Sequence, residues 1–246
     1  MYVAFVDILG FGSAIEELNL REHQQLRRAL ETGRLPASSK PGWVYRRYAD
    51  FREEFARQLQ GAEEFGKLLK LRKGPIAILF SDSAFFASSH PAQTLTFAEG
   101  LVTMLYYQHV PVRAGIGAGS FSLVDVSLNS RVGGAQATAA FLGSAVVRAY
   151  RAESSGVKGL RVLVHPSACQ GLHALRGVQL EPLPVHETTI HATHEVNLVH
   201  GGTGLAESLP HEVFKLLTDM EQQVPENVRD HYSATRAAIH RMVAPR

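Results

Sequence analysis

The chain has 246 residues, 45% hydrophobic and 20% charged, with a formal net charge of +2. That length suits one large α/β domain or one domain with appended helices, and so small a net charge offers no global field to draw nucleic acid. No apolar run is long enough to span a bilayer, Met1 to Leu9 lacks the basic flank of a signal peptide, and Cys169 is the single cysteine. A reduced, cytoplasmic protein with no direct nucleic-acid or membrane contact is expected.

Tyr2 to Leu9 is a continuous apolar run broken only by Asp7, the pattern of a strand buried on both faces. Gly10-Phe11-Gly12-Ser13 ends it, and Ser13 is placed to cap a helix from Ala14 to Thr32. Gly33 to Gly42 reads as a loop, followed by helical pattern over Ala49–Leu59 and Glu63–Leu71. Ile76–Phe80 and Ala84–Ser88 read as a hairpin with Asp82 at its tip. Pro91 opens a helix to Tyr107, Val112–Gly119 forms a strand, and Phe121–Val126 pairs with it.

A helix follows from Ala135 to Glu153, poor in polar surface and so buried on more than one side. Leu160–Val164, Val178–Pro184 and Glu195–Val199 read as strands, and Glu207–Val224 and Asn227–Met242 as two final helices. The order is β-α-β-β-α-β-β-α-β, which predicts an α/β (α+β) domain of ferredoxin-like, split βαβ topology with a mostly antiparallel sheet. The simplest division is a domain over 1–205, with an insertion near 34–67, and a helical extension over 206–246 packed on it.

Two carboxylates stand out. Asp7 interrupts an apolar strand, where a charge costs several kcal/mol unless paired or metal-bound. Asp82 sits at the tip of an apolar hairpin. The first and third strands are neighbours in this topology, so both groups can project from one edge. Hard oxygen donors suit magnesium or manganese, and two such ions about 4 Å apart activate an attacking hydroxyl and neutralise a leaving group. The structural alternatives are a helix cap for Asp7 and a turn residue for Asp82. The turn Ile8-Leu9-Gly10-Phe11-Gly12 lets backbone N–H groups approach a phosphate.

Taken together and in order, these segments resemble the class III adenylyl and guanylyl cyclases over about residues 2 to 165. The carrying motifs are Phe-Val-Asp-Ile-Leu-Gly-Phe at 5–11, Ser-Asp-Ser at 81–83, Val112-Arg113-Ala-Gly-Ile-Gly-Ala-Gly119, and Gly143 to Ser154. The resemblance implies that Asp7 and Asp82 bind two Mg2+ or Mn2+ ions and that Ile8, Leu9, Gly10, Phe11 and Gly12 contact the triphosphate. It places Arg151 as the catalytic arginine that stabilises charge on the α-phosphate.

The departures are specific. Val147 stands where the family has its ribose-orienting asparagine, and the purine-reading positions fall on Ile78 and near Ala140. With the long insertion, these differences point away from ATP and GTP and toward the bacterial pyrimidine cyclases of the Pycsar antiphage system. That resemblance implies a homodimer with composite sites, conversion of UTP (favoured over CTP) to the cyclic monophosphate, and a separate effector protein that senses the product. Tyr48 and Arg47 are the candidate base contacts, with a partly buried aromatic on an amphipathic helix as the plainer reading. A weak cyclase-like module that binds nucleotide or dimerises, and a purine cyclase, are the alternatives. A diguanylate-cyclase-like enzyme lacks its Gly-Gly-Asp/Glu-Glu/Asp-Phe hairpin here.

His186, His191, His194 and His200 lie near Glu187 and Glu195. Although His191 and His194 have a zinc-like spacing, the absence of a helical frame favours surface histidines. Cys169 is expected to be a small buried residue and Gly201–Gly204 a loop.

Overall fold

In the computed structural model, which describes residues 1–34, 39–131, 134–198, 210–222 and 226–243, the first apolar run forms β1 (Tyr2–Ile8). Its neighbours are β3 (Ser83–Ser88) and β4 (Val112–Ala118), both antiparallel to it. β2 (Ile76–Leu79) pairs with β3, so the first four strands lie in the order β2-β3-β1-β4. That is the split βαβ arrangement expected from the element order. The sheet continues through β7 (Val162–Val164), β9 (His194–Val196) and β8 (Leu180–Pro182), and β4 with β7 is its one parallel pair among the described residues.

Alternation along β1 divides the core. Ala4, Val6 and Ile8 face the main cluster, which holds α3 (Lys40–Leu68) and α4 (Pro91–Tyr107). Phe86 stacks on Phe97 there at 4.1 Å, and Phe55 meets Phe97 edge-on at 5.6 Å. Val3 and Phe5 face the opposite way, onto Ala145, Val146 and Ala149 of α5 (Ser144–Glu153). Asp7 follows Val3 and Phe5 at a spacing of two, so it belongs to the α5 face.

Several elements differ from the sequence expectation. The helix expected over 14–32 is two, α1 (Phe11–Glu16) and α2 (Leu20–Thr32). Asn19 starts the second with a capping box: its side chain accepts from Glu22 N at 3.0 Å, and its own N–H donates to the Glu22 carboxylate at 2.8 Å. Gly10, not Ser13, caps α1. The two helical pieces expected after residue 49 form one 29-residue helix, α3, capped by Ser39. Gly66 lies within it at a close contact, since a Cβ there would stand 2.6 Å from Gln93 of α4.

The largest correction concerns 121–153. β5 (Ser122–Arg131) pairs with β6 (Gly134–Leu142) in a separate two-stranded ribbon, not with β4. The helix expected from Ala135 starts only at Ser144, after Gly143 at φ 152°. The alanines of β6 favour a helix locally, but a long antiparallel partner supplies ladder hydrogen bonds instead. α6 (Pro166–His173), capped by His165, had no counterpart in the sequence reading. α7 (Pro210–Glu221) and α8 (Glu226–Val243) match the two final helices. Gly201–Gly204 and His200 lie outside the described residues. Among the described residues no helix is long and apolar enough to cross a membrane.

Two glycines of β4 set how closely α5 approaches. A Cβ on Gly115 would collide with the Ala149 carbonyl and the Glu153 backbone, and one on Gly117 would lie 2.5 Å from Ala149 N. Only bare backbone at both positions lets the helix rest on the strand. Gly115→Ala should therefore destabilise the protein by about 1–3 kcal/mol, the usual cost of overpacking. A denaturant melt checks this, and an unchanged midpoint would contradict the close packing.

Candidate active site

β1 holds Asp7 opposite Ser83 of β3 on one side and opposite Arg113 of β4 on the other. Asp82 immediately precedes Ser83, and its carbonyl accepts the Ile8 N–H at 2.9 Å. The backbone pairing thus brings Asp7 and Asp82 together at one end of the sheet. Ser81 Oγ donates to Asp82 Oδ1 at 2.9 Å.

The surroundings of Asp7 are rich in negative charge. Glu153, at the end of α5, takes Arg113 Nε and Nη2 at 2.8 and 2.6 Å. The third Arg113 donor, Nη1, goes to the Val157 carbonyl at 2.7 Å. Among the described residues all three Arg113 side-chain bonds therefore go to groups other than Asp7. The Asp7 carboxyl is raised from its usual 3.8 to about 7, chiefly by burial, with Glu153 and Asp82 pushing the same way and Arg113 opposing them. A cluster of three carboxylates and one committed guanidinium lacks positive charge. With Glu153 committed to Arg113, Asp7 and Asp82 remain as hard oxygen donors that fit divalent cations.

Among the described residues no three His, Cys, Asp or Glu side chains are arranged to hold a metal ion. Ions at Asp7 and Asp82 would therefore complete their shells with backbone carbonyls, water and substrate oxygens, as magnesium commonly does.

The glycine turn follows β1 directly. Gly10 has φ 72°, and a Cβ there would lie 2.6 Å from a methyl of Val228 on α8. The Ile8 and Leu9 amides are already used, by Asp82 and by the Pro111 carbonyl at 2.8 Å. The first α1 ladder donor is Ala14, bonded to the Gly10 carbonyl at 3.0 Å, so the amides of Phe11, Gly12 and Ser13 precede the ladder. Of the five residues expected at the triphosphate, Gly10 to Gly12 keep that geometry; Ile8 and Leu9 are buried and their amides committed.

Arg151 is not brought to the carboxylates within one chain. It lies exposed on α5 and acts electrostatically on His165, while the charges acting on Asp7 are Glu153, Asp82 and Arg113. Val147 and Tyr150 flank it and are 47% and 52% exposed. Tyr48 and Arg47 do not converge either. Tyr48 lines a cavity of about 580 Å3 with Phe11 of the glycine turn and Ser81 beside Asp82. Arg47 lines a different one.

The sequence reading missed the roles of Arg113 and Glu153. A signal existed: Arg113 is the one charged residue of its strand, and antiparallel pairing sets it opposite Asp7. Glu187 and Glu195 do not serve the histidines. They bind Arg161 at 2.9 and 2.5 Å, and Arg241 of α8 joins them. Cys169 is half-buried, with Sγ 3.4 Å from His194 Nδ1.

No protein-family model matches the sequence, and no curated protein matches it. Solved structures similar in fold are nucleotide cyclases. The catalytic core of a rhodopsin-guanylyl cyclase with converted specificity, in complex with ATPαS, has 13% identity and a TM-score of 0.45, over 79% of this chain and 91% of that one. The adenylyl cyclase CyaB from P. aeruginosa has 12% identity and a TM-score of 0.43, over 79% and 92%. A bacterial light-regulated adenylyl cyclase has 13% identity and a TM-score of 0.45, over 90% of this chain and 55% of that one.

The raised Asp7 pKa has a consequence for stability. The folded state holds a proton at pH 5 to 6 that the unfolded chain has released, so without metal the Asp7 contribution is lost as pH rises from about 4 through 7. Asp7→Asn should stabilise the metal-free protein at pH 8 by on the order of 1–2 kcal/mol, allowing for partial solvent access, and should flatten that pH dependence. Thermal melts at pH 5 and pH 8 measure both, and equal shifts at the two pH values would contradict the assignment.

Proposed function

We propose that the protein is a metal-dependent nucleotidyl cyclase that converts a pyrimidine nucleoside triphosphate, UTP in preference to CTP, to its 3′,5′-cyclic monophosphate and pyrophosphate. The carrying observation is the β1–β3 register, which joins Asp7 and Asp82 at the mouth of a glycine turn. Two Mg2+ or Mn2+ ions held there would lower the pKa of the ribose 3′-hydroxyl and neutralise the leaving pyrophosphate.

The chain's own residues do the rest. Asp7 and Asp82 fix where the α-phosphate lies. Arg113 holds Glu153 beside Asp7, so Asp7 keeps its affinity for a cation instead of forming an ion pair. The amides of Phe11, Gly12 and Ser13 are positioned to donate to phosphate oxygens. Positioning and charge stabilisation carry most of the rate in such transfers.

Arg151 stabilises the transition state from the partner subunit. Its separation from Asp7 within one chain supports a homodimer with composite sites. Exposed Leu142, Val147 and Tyr150 on and beside α5 supply an apolar surface for that contact. Tyr48 is the proposed base contact, because its cavity opens between the glycine turn and the Asp82 hairpin. Small or apolar residues at Ile78 and Ala140 support a pyrimidine over a purine, and the product would act as an antiphage signal read by a separate effector protein.

One feature favours a second reading, a module that binds nucleotide and dimerises with little turnover. Val147 stands on the exposed face of α5, where the resembling enzymes carry a ribose-orienting asparagine. Tight metal-dependent nucleotide binding without product would support it.

The test incubates the protein with UTP, CTP, ATP and GTP in turn, with manganese, and chromatographs the products. Cyclic UMP in excess over the other three is expected; no cyclic product from any of them rejects the cyclase reading. Arg151→Ala should lower kcat by about 10²–10³-fold, as loss of one charge-stabilising donor does. Mixing Arg151→Ala with inactive Asp7→Asn chains should restore up to about a quarter of wild-type activity, since half the random dimers carry one intact site of two. No recovery on mixing would contradict the composite site.

A further inference from the structure

Among the described residues two guanidinium groups are buried, and they are treated differently. Arg161 is met by Glu195 and Glu187. Arg47, on α3, is 5% exposed and has no carboxylate partner among the described residues. Its guanidinium carbon lies 3.4 Å over the Trp43 ring, and the Tyr232 hydroxyl of α8 is beside it. The aromatic face and the phenol offset part of the desolvation cost of this buried cation, but no counter-charge among the described residues offsets the rest.

Arg47 lines a cavity of about 290 Å3, shared with Trp43, Arg46, Asp50, Gln108 and His109. Two further polar atoms of this lining, Gln108 Oε1 and His109 Nδ1, are buried without a hydrogen-bond partner among the described residues. The Gln108 amide nitrogen is anchored on Glu54 at 3.2 Å, which fixes its oxygen as the free end. His109 is held at φ 61°, a conformation that costs a non-glycine residue about 1–2 kcal/mol. Asp50 is the one acid of the lining, and Arg46 opposes its charge. The cavity therefore offers one buried cation without a counter-charge at depth, the exposed Arg46 beside Asp50 at the rim, and an unused acceptor.

We propose that this cavity is a second binding site, distinct from the Asp7–Asp82 centre, for a small phosphate ester. The phosphate would bind Arg47 and Arg46, since a guanidinium fork suits phosphate oxygens. A hydroxyl or amide donor of the same ligand would satisfy Gln108 Oε1. The site touches the glycine turn by two routes. Pro111, two residues after His109, accepts the Leu9 amide, and Tyr232 lies one turn along α8 from Val228, which packs on Gly10. Occupancy at Arg47 is thus placed to be felt at the catalytic turn.

Trp43 is the only tryptophan of the chain, so its fluorescence reports on this cavity alone. The protein, without divalent metal, is titrated with inorganic phosphate and separately with ribose 5-phosphate. A saturable change with the ester at least tenfold tighter than with inorganic phosphate is expected. It should persist in Asp7→Asn and be lost in Arg47→Gln. Arg46→Gln, on the exposed rim, should weaken it at least fivefold and stands in if Arg47→Gln does not fold. No saturable change, equal affinity for the two probes, indifference to the Arg46 and Arg47 substitutions, or loss in Asp7→Asn would each overturn the proposal.

Discussion

A carboxylate buried among other carboxylates governs this molecule. Asp7 sits in the central strand, close to Asp82 and Glu153, and the one nearby guanidinium is spent on Glu153 and a backbone carbonyl. In a purely structural site Arg113 would pair with Asp7 and the strand would gain from it. Here Arg113 pairs with Glu153 of α5 instead, and Asp7 is left wanting positive charge. The register of β1 with β3 and β4 makes this possible, since it fixes all three groups at one end of the sheet.

The rest of the fold serves that placement. Gly115 and Gly117 let α5 lie close on β4, which brings Glu153 to Arg113. The same closeness turns Val147, Tyr150 and Arg151 outward, away from the carboxylates. One chain thus carries Asp7 and Asp82 at one end of the sheet and Arg151 exposed elsewhere on α5, the two halves that the proposed composite site needs. Two copies in a symmetric pair would bring the halves together. On the far side of the sheet, α8 reaches back to the glycine turn through Val228. It is pinned to the strands by the Arg241–Glu195–Arg161 network and by His231 and Thr235, which accept the amides of Gly159 and Leu160.

Much of this was legible in the sequence, for a definable reason. A lone Asp in a run as apolar as Tyr2–Leu9 has few structural explanations, and the hairpin around Asp82 is marked by a polar tip between apolar strands. Pro91 fixed the start of α4 to the residue. What was lost lay where local preference and tertiary pairing disagree. Alanines at 135–140 favour a helix on their own, yet they form β6 because β5 stands beside them. The break between α1 and α2 rests on the capping box of Asn19 and Glu22, a local signal that the apolar periodicity of 14–32 does not show. Arg113 and Glu153 escaped notice because their meaning depends on a strand pairing and a helix contact together, and neither shows in a linear pattern. Adjacency in sequence puts Arg47 with Tyr48 as a base contact, but the turn of α3 sends the two side chains to different cavities.

The central claim is that Asp7 and Asp82 share a pair of divalent cations. Electron paramagnetic resonance of the protein with Mn2+ and a non-hydrolysable UTP analogue tests it most directly. Two exchange-coupled Mn2+ ions per site, about 4 Å apart, with the coupling lost in Asp82→Asn, are the predicted result. Isolated, uncoupled Mn2+ whose binding ignores both Asp7→Asn and Asp82→Asn would contradict the account.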